Sequence, residues 1–80
     1  SSSADARLVS LADKLHNARS ILRDILISGN DVWGKFNGGR DGTLWYYRSL
    51  VLVFESLDQN FLVDELRRVV DEIENLVISK

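Results

Sequence analysis

The sequence predicts an all-α fold: a small bundle of three long helices and one short helix, in a single domain spanning residues 1–80. Three observations support this prediction. Apolar residues recur at intervals of three and four over most of the chain, proline is absent, and all five glycines fall between positions 29 and 42. A half-buried strand would instead show alternation at every second position. The glycine-containing region therefore marks where the chain turns.

Composition and charge argue against several classes of partner. Ten basic and twelve acidic side chains leave a net charge of −2, so no basic surface attracts nucleic acid or an anionic membrane. The longest strongly apolar run, Leu50 to Phe54, is far shorter than the ~20 residues that span a bilayer. The chain has no cysteine, which excludes disulfides and is compatible with a cytoplasmic location. We expect neither a nucleic-acid partner nor a membrane partner.

The first helix is predicted from one amphipathic stripe. Ser3 is suited to cap its beginning, and Gly29-Asn30 is suited to end it through a left-handed backbone conformation. The residues of the stripe, spaced by three and four, are Leu8, Leu11, Leu15, Ala18, Leu22 and Ile25, with Ala12, Ile21 and Leu26 widening it.

A short helical turn and a loop are expected next. The turn begins at Asp31 as its cap, and Trp33 and Phe36 pack down as a lid on the core. Residues 37–40 form the loop, and Asp41 caps the second long helix. An Asn-Gly pair in the loop is also a hairpin signal, but the flanking residues do not alternate. A helical connection is therefore the better prediction.

The second long helix, from Thr43 to Phe54, is apolar almost all round. Its β-branched and aromatic residues would also suit a strand, but the segment is long for one. A helix without a polar face has to be enclosed by other elements. We therefore expect this helix to be buried by its neighbours.

The last helix is predicted from Phe61 to Ile78, with Asn60 as its cap. An ion pair is expected between Asp64 and Arg68, which lie one turn apart. The buried face comprises Leu62, Leu66, Val69, Ile73, Leu76 and Val77. The side chains expected in solvent are Arg67, Arg68, Asp71, Glu72, Glu74 and Asn75.

Two short strings carry chemical information. The first reads Ala-Asp-Lys-Leu-His-Asn from Ala12 to Asn17, and the second reads Thr-Leu-Trp-Tyr-Tyr from Thr43 to Tyr47. Together they resemble the second half of HD-superfamily metal-dependent phosphohydrolases, with the (p)ppGpp hydrolases of the RelA/SpoT type as the nearest relatives. The resemblance covers residues 8–54, and its first string is the more specific. It implies the helical fold of the C-terminal half of an HD domain.

The resemblance also implies roles for four residues. Asp13 matches the aspartate that completes a divalent-metal site, where a carboxylate suits a hard ion such as Mn²⁺. Asn17 and Ser20 lie further along the same helix, where the family contacts its nucleotide, and Tyr47 matches a tyrosine that packs near the ligand. His16 belongs to the string, but its counterpart in the family is not a metal ligand. The implied ligand is a guanosine polyphosphate, as in the stringent response.

The metal site that the resemblance implies is incomplete in this sequence. The family's other ligands, one histidine and then a His-Asp pair, precede the counterpart of Asp13, as does a catalytic Glu-Asp. Only twelve residues precede Asp13 here, and none is histidine. A catalytic metal needs about three or four protein ligands. We therefore expect no catalytic residue in this chain, no metal bound by the chain alone, and no hydrolysis without the missing half.

Simpler explanations stand beside these candidates. Asp13 and His16 could share a metal ion, although a solvated pair is the commoner arrangement. Lys14, Arg19 and Arg23 could attract phosphate, yet charges beside an apolar stripe usually form a solvated face. The glycine-rich opening of the second helix could bind an anion, but it lacks P-loop spacing and is better explained as a connector. The aromatic residues expected to pack rather than to stack on bases are Trp33, Trp45, Tyr46 and Phe54.

Two functions from different classes follow from the sequence. The first is an HD-type phosphohydrolase-like fragment, active only when another polypeptide supplies the missing ligands. The second is a non-catalytic helical module for homodimerisation or protein interaction. It is suggested by apolar surface on the first two long helices, which exceeds what a monomer usually exposes. A symmetric homodimer is the commonest arrangement that buries such a surface.

Overall fold

The structure, a computed structural model, describes residues 2–36 and 38–78, and in them the chain is helical almost throughout, with no strand. The elements in chain order are α1 (Ser2–Ser28), a 3₁₀ helix (Gly29–Lys35), α2 (Gly39–Leu57) and α3 (Phe61–Ile78). The predicted all-α bundle of three long helices and one short helix is confirmed. None of the described helices is both long enough and apolar enough to cross a membrane.

Helix α3 forms the centre of the bundle, because it packs against both α1 and α2, whereas those two make few close backbone approaches to each other. Leu66, Val69 and Val70 have no exposed surface. The predicted buried face of α3 is confirmed, with Leu62 and Leu76 partly buried at its edges. A single helix therefore supplies most of the apolar wall that the other two helices share.

Helices α1 and α3 run in the same direction. Arg7 near the start of α1 bonds Asp58 just before α3, and Arg19 further along α1 bonds Glu65 within α3. The side chains of α1 that face α3 are Leu11, Leu15, Ala18 and Ile25, with Ile21 and the partly buried Leu22 beside them. Leu8, Ala12 and Leu26 are exposed, because the predicted stripe is wider than the surface that α3 can cover.

The ends of α1 agree only partly with the prediction. The helix begins at Ser2, so Ser3 lies within it and the predicted cap is wrong. At the other end Gly29 has a φ of +68°, the left-handed conformation that a residue without Cβ adopts most easily. The predicted stop is confirmed.

The 3₁₀ helix closes one end of the bundle. Val32 and Trp33 are buried, and the ring centroids of Trp33 and Phe36 lie 5.9 Å apart. Trp33 Nε1 donates a hydrogen bond to Asn30 Oδ1 at 3.1 Å, which satisfies the polar edge of the buried indole. The predicted lid is confirmed. The predicted Asp31 cap is wrong, because the 3₁₀ helix begins two residues earlier and makes no side-chain capping bond.

Helix α2 starts earlier than predicted. Its first residue is Gly39, and Gly38 precedes it with a φ of +81°. The predicted loop is therefore wrong for Gly39 and Arg40, while Asn37 lies outside the described residues. The predicted Asp41 cap is also wrong, because Asp41 lies in the first turn, where its carboxylate pairs with the side chain of Arg40 at 3.1 Å. Gly38 adopts the left-handed conformation at little cost because it has no Cβ, and the helix begins without a side-chain capping bond.

Helix α2 is not enclosed, contrary to the prediction. One side is buried through Thr43, Tyr47, Val51 and Phe54. The opposite side is exposed, and Trp45 retains 71% of its accessible surface. The physical reason is that α3 and the 3₁₀ helix cover only one side of α2, and no other described element lies on its outer face.

Ion pairs fix α2 antiparallel to α3. Arg48 Nη2 donates to Asp71 Oδ1 at 2.6 Å, and Arg48 Nε donates to Glu74 Oε2 at 3.3 Å. The bonds to Glu74 and then to Asp71 hold the pKa of Arg48 above its ordinary value. About two turns further towards the end of α2, Glu55 pairs with Arg67 at 2.8 Å. These pairs connect later residues of α2 to earlier residues of α3.

The start of α3 matches the prediction, but its intrahelical ion pair does not. Asn60 Oδ1 accepts hydrogen bonds from the backbone N–H groups of Leu62 (2.9 Å) and Val63 (3.2 Å), so the predicted cap is confirmed. The expected pair between Asp64 and Arg68 is wrong. Asp64 pairs with Arg67, while Arg68 pairs with Glu65 and Glu72. The guanidinium group of Arg68 is instead paired with the carboxylates of Glu65 and Glu72.

Replacing Leu66 by alanine should destabilise the domain by about 2–5 kcal/mol, because Leu66 is fully buried where α3 meets its neighbours. That loss is a large share of the ~5–15 kcal/mol by which a domain is usually stable. Chemical denaturation followed by circular dichroism measures it. Leu26→Ala is the matched control, because Leu26 is 63% exposed and its loss should change the free energy of unfolding by about 0.5 kcal/mol or less. Equal losses in both variants would contradict the assignment of the core.

Candidate functional site

A groove between α1 and α2 contains most of the site residues that the sequence indicates. A pocket of about 350 Å³ lies in this groove and is closed at one end by the 3₁₀ helix. Its lining residues are Asn17, Ser20, Ile21, Asp24, Lys35, Phe36 and Tyr47. The groove exists because both helices pack on α3 instead of on each other.

The wall from α1 is a polar stripe. Asp13, Asn17, Ser20 and Asp24 are spaced by four, three and four residues, which places them on one side of a helix. The last three line the pocket, and Asp13 lies one turn before Asn17. The Asp13 side chain is 60% exposed and pairs with Lys14 Nζ at 3.6 Å. Asp13 therefore stands at the solvent-facing end of the stripe.

Tyr47 forms the opposite wall. It comes from the buried side of α2, and its ring packs edge-on against Tyr46 with centroids 5.2 Å apart. Burial raises the pKa of the Tyr47 hydroxyl, and the proximity of Tyr46 and Asp13 raises it further. Near neutral pH the hydroxyl keeps its proton and can donate a hydrogen bond.

Two further contacts define what the pocket can offer a ligand. Ser20 Oγ donates to the backbone carbonyl of His16 at 3.1 Å, which leaves its oxygen free to accept a bond. Asp24 accepts from Lys35 Nζ at 3.3 Å and lies 4.0 Å from Arg23 Nε. Each lysine near the groove is thus paired with a carboxylate. The arrangement provides neutral hydrogen-bonding groups but no unpaired positive charge.

The residues present do not fit a catalytic metal ion. Within residues 2–36 and 38–78 no group of three or more His, Cys, Asp or Glu side chains lies close enough to hold one. Asp13 supplies a single carboxylate, and the exposed His16 one turn away could add at most one nitrogen. A catalytic site needs about three or four protein ligands. We therefore derive no chemical step through a metal on this chain.

The other predicted candidates take part in ordinary contacts. Lys14 pairs with Asp13, Arg19 with Glu65 and Arg23 with Asp24, as expected for a solvated face. Of the four aromatic residues expected to pack, Trp33 and Phe54 are buried, whereas Trp45 and Tyr46 are exposed. That part of the prediction is wrong for the last two, because no described element covers the outer face of α2.

A second concavity, of about 510 Å³, lies at the corner between α2 and α3. Most of its polar side chains already have structural partners. Asp58 accepts two hydrogen bonds from Arg7, and Asn60 caps α3. Glu55 pairs with Arg67. These groups hold the corner together, and the groove between α1 and α2 remains the better candidate site.

The sequence identifies part of the groove and misses the rest. It indicates Asn17, Ser20 and Tyr47, which the structure brings to one pocket, but it gives no role to Asp24 or Lys35. Asp24 continues the spacing of the polar stripe, so a helical projection extended by one turn would have found it. Lys35 has no such signal, because its position depends on how the 3₁₀ helix folds back on α1.

No protein-family model, curated protein or solved structure matches this chain. The resemblance to HD phosphohydrolases therefore rests on the two strings and on the residues that they contain.

Titration with alkali should distinguish the two tyrosines of the chain. Tyr47 has a pKa above the ordinary value of about 10, so the unfolded chain releases this proton at a lower pH than the folded chain does. The contribution of Tyr47 to stability is therefore intact below pH ~10 and is lost as the pH rises towards the folded pKa. Absorbance of the phenolate and the free energy of unfolding measure the two consequences.

Tyr47→Phe should abolish the late phenolate transition and make the alkaline loss of stability shallower. Tyr46→Phe, which removes the hydroxyl of the more exposed tyrosine, should retain the late transition. A late transition that survives in Tyr47→Phe would contradict the assignment.

Proposed function

We propose that this chain is part of an HD-type phosphohydrolase domain, related to (p)ppGpp and nucleotide pyrophosphohydrolases, and that the α1–α2 groove is its nucleotide-facing wall. One observation carries the proposal. Asn17, Ser20 and Tyr47, which the motif resemblance singles out from two helices, line one pocket. Asp13 lies one turn before Asn17, and its negative charge helps to raise the pKa of the Tyr47 hydroxyl, after burial and Tyr46. Residues far apart in sequence thus line one pocket, as contact with a shared ligand would require.

The pocket chemistry suits recognition rather than catalysis. Asn17 can donate and accept, Tyr47 is a neutral donor, and Ser20 is an acceptor because its proton is used on the backbone. The charges at the groove cancel in the pairs Asp13–Lys14 and Asp24–Lys35. An anionic nucleotide would gain little attraction from them, so its phosphates need charge from outside this chain.

Activity in this proposal requires a second segment. A family member uses a histidine, a His-Asp pair and a Glu-Asp in addition to the counterpart of Asp13. A segment that supplies them would add the metal ligands, and the bound metal would then supply Lewis-acid activation of the phosphoryl group. The groove would orient the nucleotide against that centre through Asn17, Ser20 and Tyr47. The chain alone is expected to be inactive.

The test combines this chain with a separately produced segment that carries those histidine and acidic residues, together with Mn²⁺ and ppGpp. Pyrophosphate release, calorimetric heat and the melting temperature are measured. We expect no release from the chain alone and release from the mixture. Asn17→Asp should weaken nucleotide binding by about tenfold, because a carboxylate would face the phosphates in place of a neutral amide.

Gln59→Glu is the matched control, since it adds the same charge at an exposed site beside the α2–α3 corner, away from the groove. It should bind nucleotide as the unmodified chain does. Absence of heat, of a melting shift and of pyrophosphate release in the complete mixture would overturn the proposal.

A second candidate function is a non-catalytic helical module for homodimerisation or protein interaction. It is favoured by ten large apolar side chains that are exposed among the described residues. They are Leu8, Val9, Leu26, Ile27, Trp45, Tyr46, Leu52, Val53, Leu57 and Phe61. Five of the ten lie on α2, and where such side chains form one surface they commonly mark an interaction site.

The oligomeric state tests this second candidate without reference to nucleotide. Sedimentation equilibrium across a wide range of concentrations should show reversible dimer formation, because association by apolar burial depends on concentration. A chain that remains monomeric at the highest concentration, with an intact helical spectrum, would count against self-association. Addition of ppGpp or Mn²⁺ should leave the dimer unchanged.

A further inference from the structure

The outer side of α2 lacks charge over four turns. Opposite the buried side chains of this helix lie five exposed apolar residues, interrupted only by Gly42, Ser49 and Ser56. The five are Trp45, Tyr46, Leu52, Val53 and Leu57. A helix on a protein surface normally shows a polar stripe on this side. We refer to these eight residues as the outer face of α2.

The outer face has a seven-residue repeat. Gly42, Ser49 and Ser56 recur every seven positions, and so do Trp45 and Leu52. A repeat of seven keeps one line of residues facing a partner helix along its whole length. The line of small residues forms a shallow furrow, and the large residues beside it form ridges. Small side chains at a contact let two helix axes approach each other closely.

We propose that a second copy of this chain covers the outer face, with the two α2 helices antiparallel and crossing at Ser49. This inference rests on the second candidate function and identifies its interface. In an antiparallel crossing at Ser49, Trp45 lies opposite Val53 of the second copy, and Gly42 lies opposite Ser56. The aromatic ring thus meets a smaller aliphatic side chain. A parallel pairing would instead set Trp45 against its own copy.

The area of the outer face is sufficient for a dimer. Taking about 150–250 Å² for a fully exposed large side chain, the five apolar residues present roughly 500 Å² of accessible surface per copy. Two copies would therefore bury about 1,000 Å² from these residues alone, which is the lower bound for a specific interface. The serine and glycine residues of the furrow add to this area. The association is consequently expected to be reversible.

The charged residues next to the outer face do not oppose its burial. Arg48 is held by Asp71 and Glu74, and Glu55 is held by Arg67, so these side chains are directed towards α3. Asp41 is paired with Arg40. A partner could approach without leaving an unpaired charge in a dry contact, which is the main cost of burying ionic groups.

Leu52→Lys tests the interface by placing a charge at its centre. Leu52 is 60% exposed, so the variant should keep its fold. The dissociation constant of the dimer should rise by at least about tenfold. Leu26→Lys is the matched control, because it makes the same change on the exposed side of α1 and should leave the dimer intact. Sedimentation equilibrium measures both, and circular dichroism verifies the fold.

The outcomes separate the inference from the function on which it rests. A dimer that persists in Leu52→Lys, or that dissociates equally in Leu26→Lys, would overturn this interface and retain self-association. An unmodified chain that is monomeric throughout would overturn both. Dissociation in Leu52→Lys alone supports the proposal.

Disulfide trapping tests the antiparallel register. The chain has no cysteine, so a single introduced thiol can link only to its own copy. Ser49→Cys should form a covalent dimer on mild oxidation, because the two residues meet at the crossing. Ser56→Cys should not, because its counterpart is Gly42 of the second copy and a disulfide requires Cα atoms within about 7 Å. Linkage through Ser56→Cys as efficient as through Ser49→Cys, as a parallel pairing would give, or no linkage through Ser49→Cys, would overturn the antiparallel arrangement.

Discussion

The fold depends on one constraint: α3 has to provide apolar surface to two helices at once. Leu66, Val69 and Val70 are completely buried because α1 and α2 approach α3 from its two sides. A domain of 80 residues buries only ~60–65% of the surface that its unfolded chain exposes, so one shared wall carries much of the stability. Neither α1 nor α2 has another long partner within the described residues.

The same constraint produces the features of functional interest. Since α1 and α2 both face α3, a groove remains between them, and its walls carry Asn17, Ser20 and Tyr47. The outer side of α2 stays uncovered for the same reason and keeps Trp45 and Leu52 in solvent. Polar hydrogen-bonding groups in the groove suit a ligand, whereas the uncharged outer side suits another helix. The proposed ligand site and the proposed dimer contact therefore lie on different surfaces of one small bundle.

The candidate site was predictable to the extent that it lies on one helix. Asn17 and Ser20 lie on the same side of α1 because residues three apart are neighbours on a helix. The family resemblance assigns both a role. Tyr47 was named by the motif, but its distance from α1 is decided by the packing of α2 on α3. Lys35 was missed because it enters the pocket only when the 3₁₀ helix folds back. The pairing of Asp24 with Lys35 follows from that same contact.

The sequence by itself determined the helices, since the spacing of apolar residues, Gly29 and the Asn60 cap are local features that act within a few residues. It also determined which side of α3 is buried. Tertiary structure alone decided how much of α1 and α2 is covered, because coverage depends on the number of neighbours and not on hydrophobicity. Trp45 is therefore exposed although the sequence around it is apolar. Hydrophobic pattern specifies what prefers burial, whereas the packing geometry specifies what can be buried.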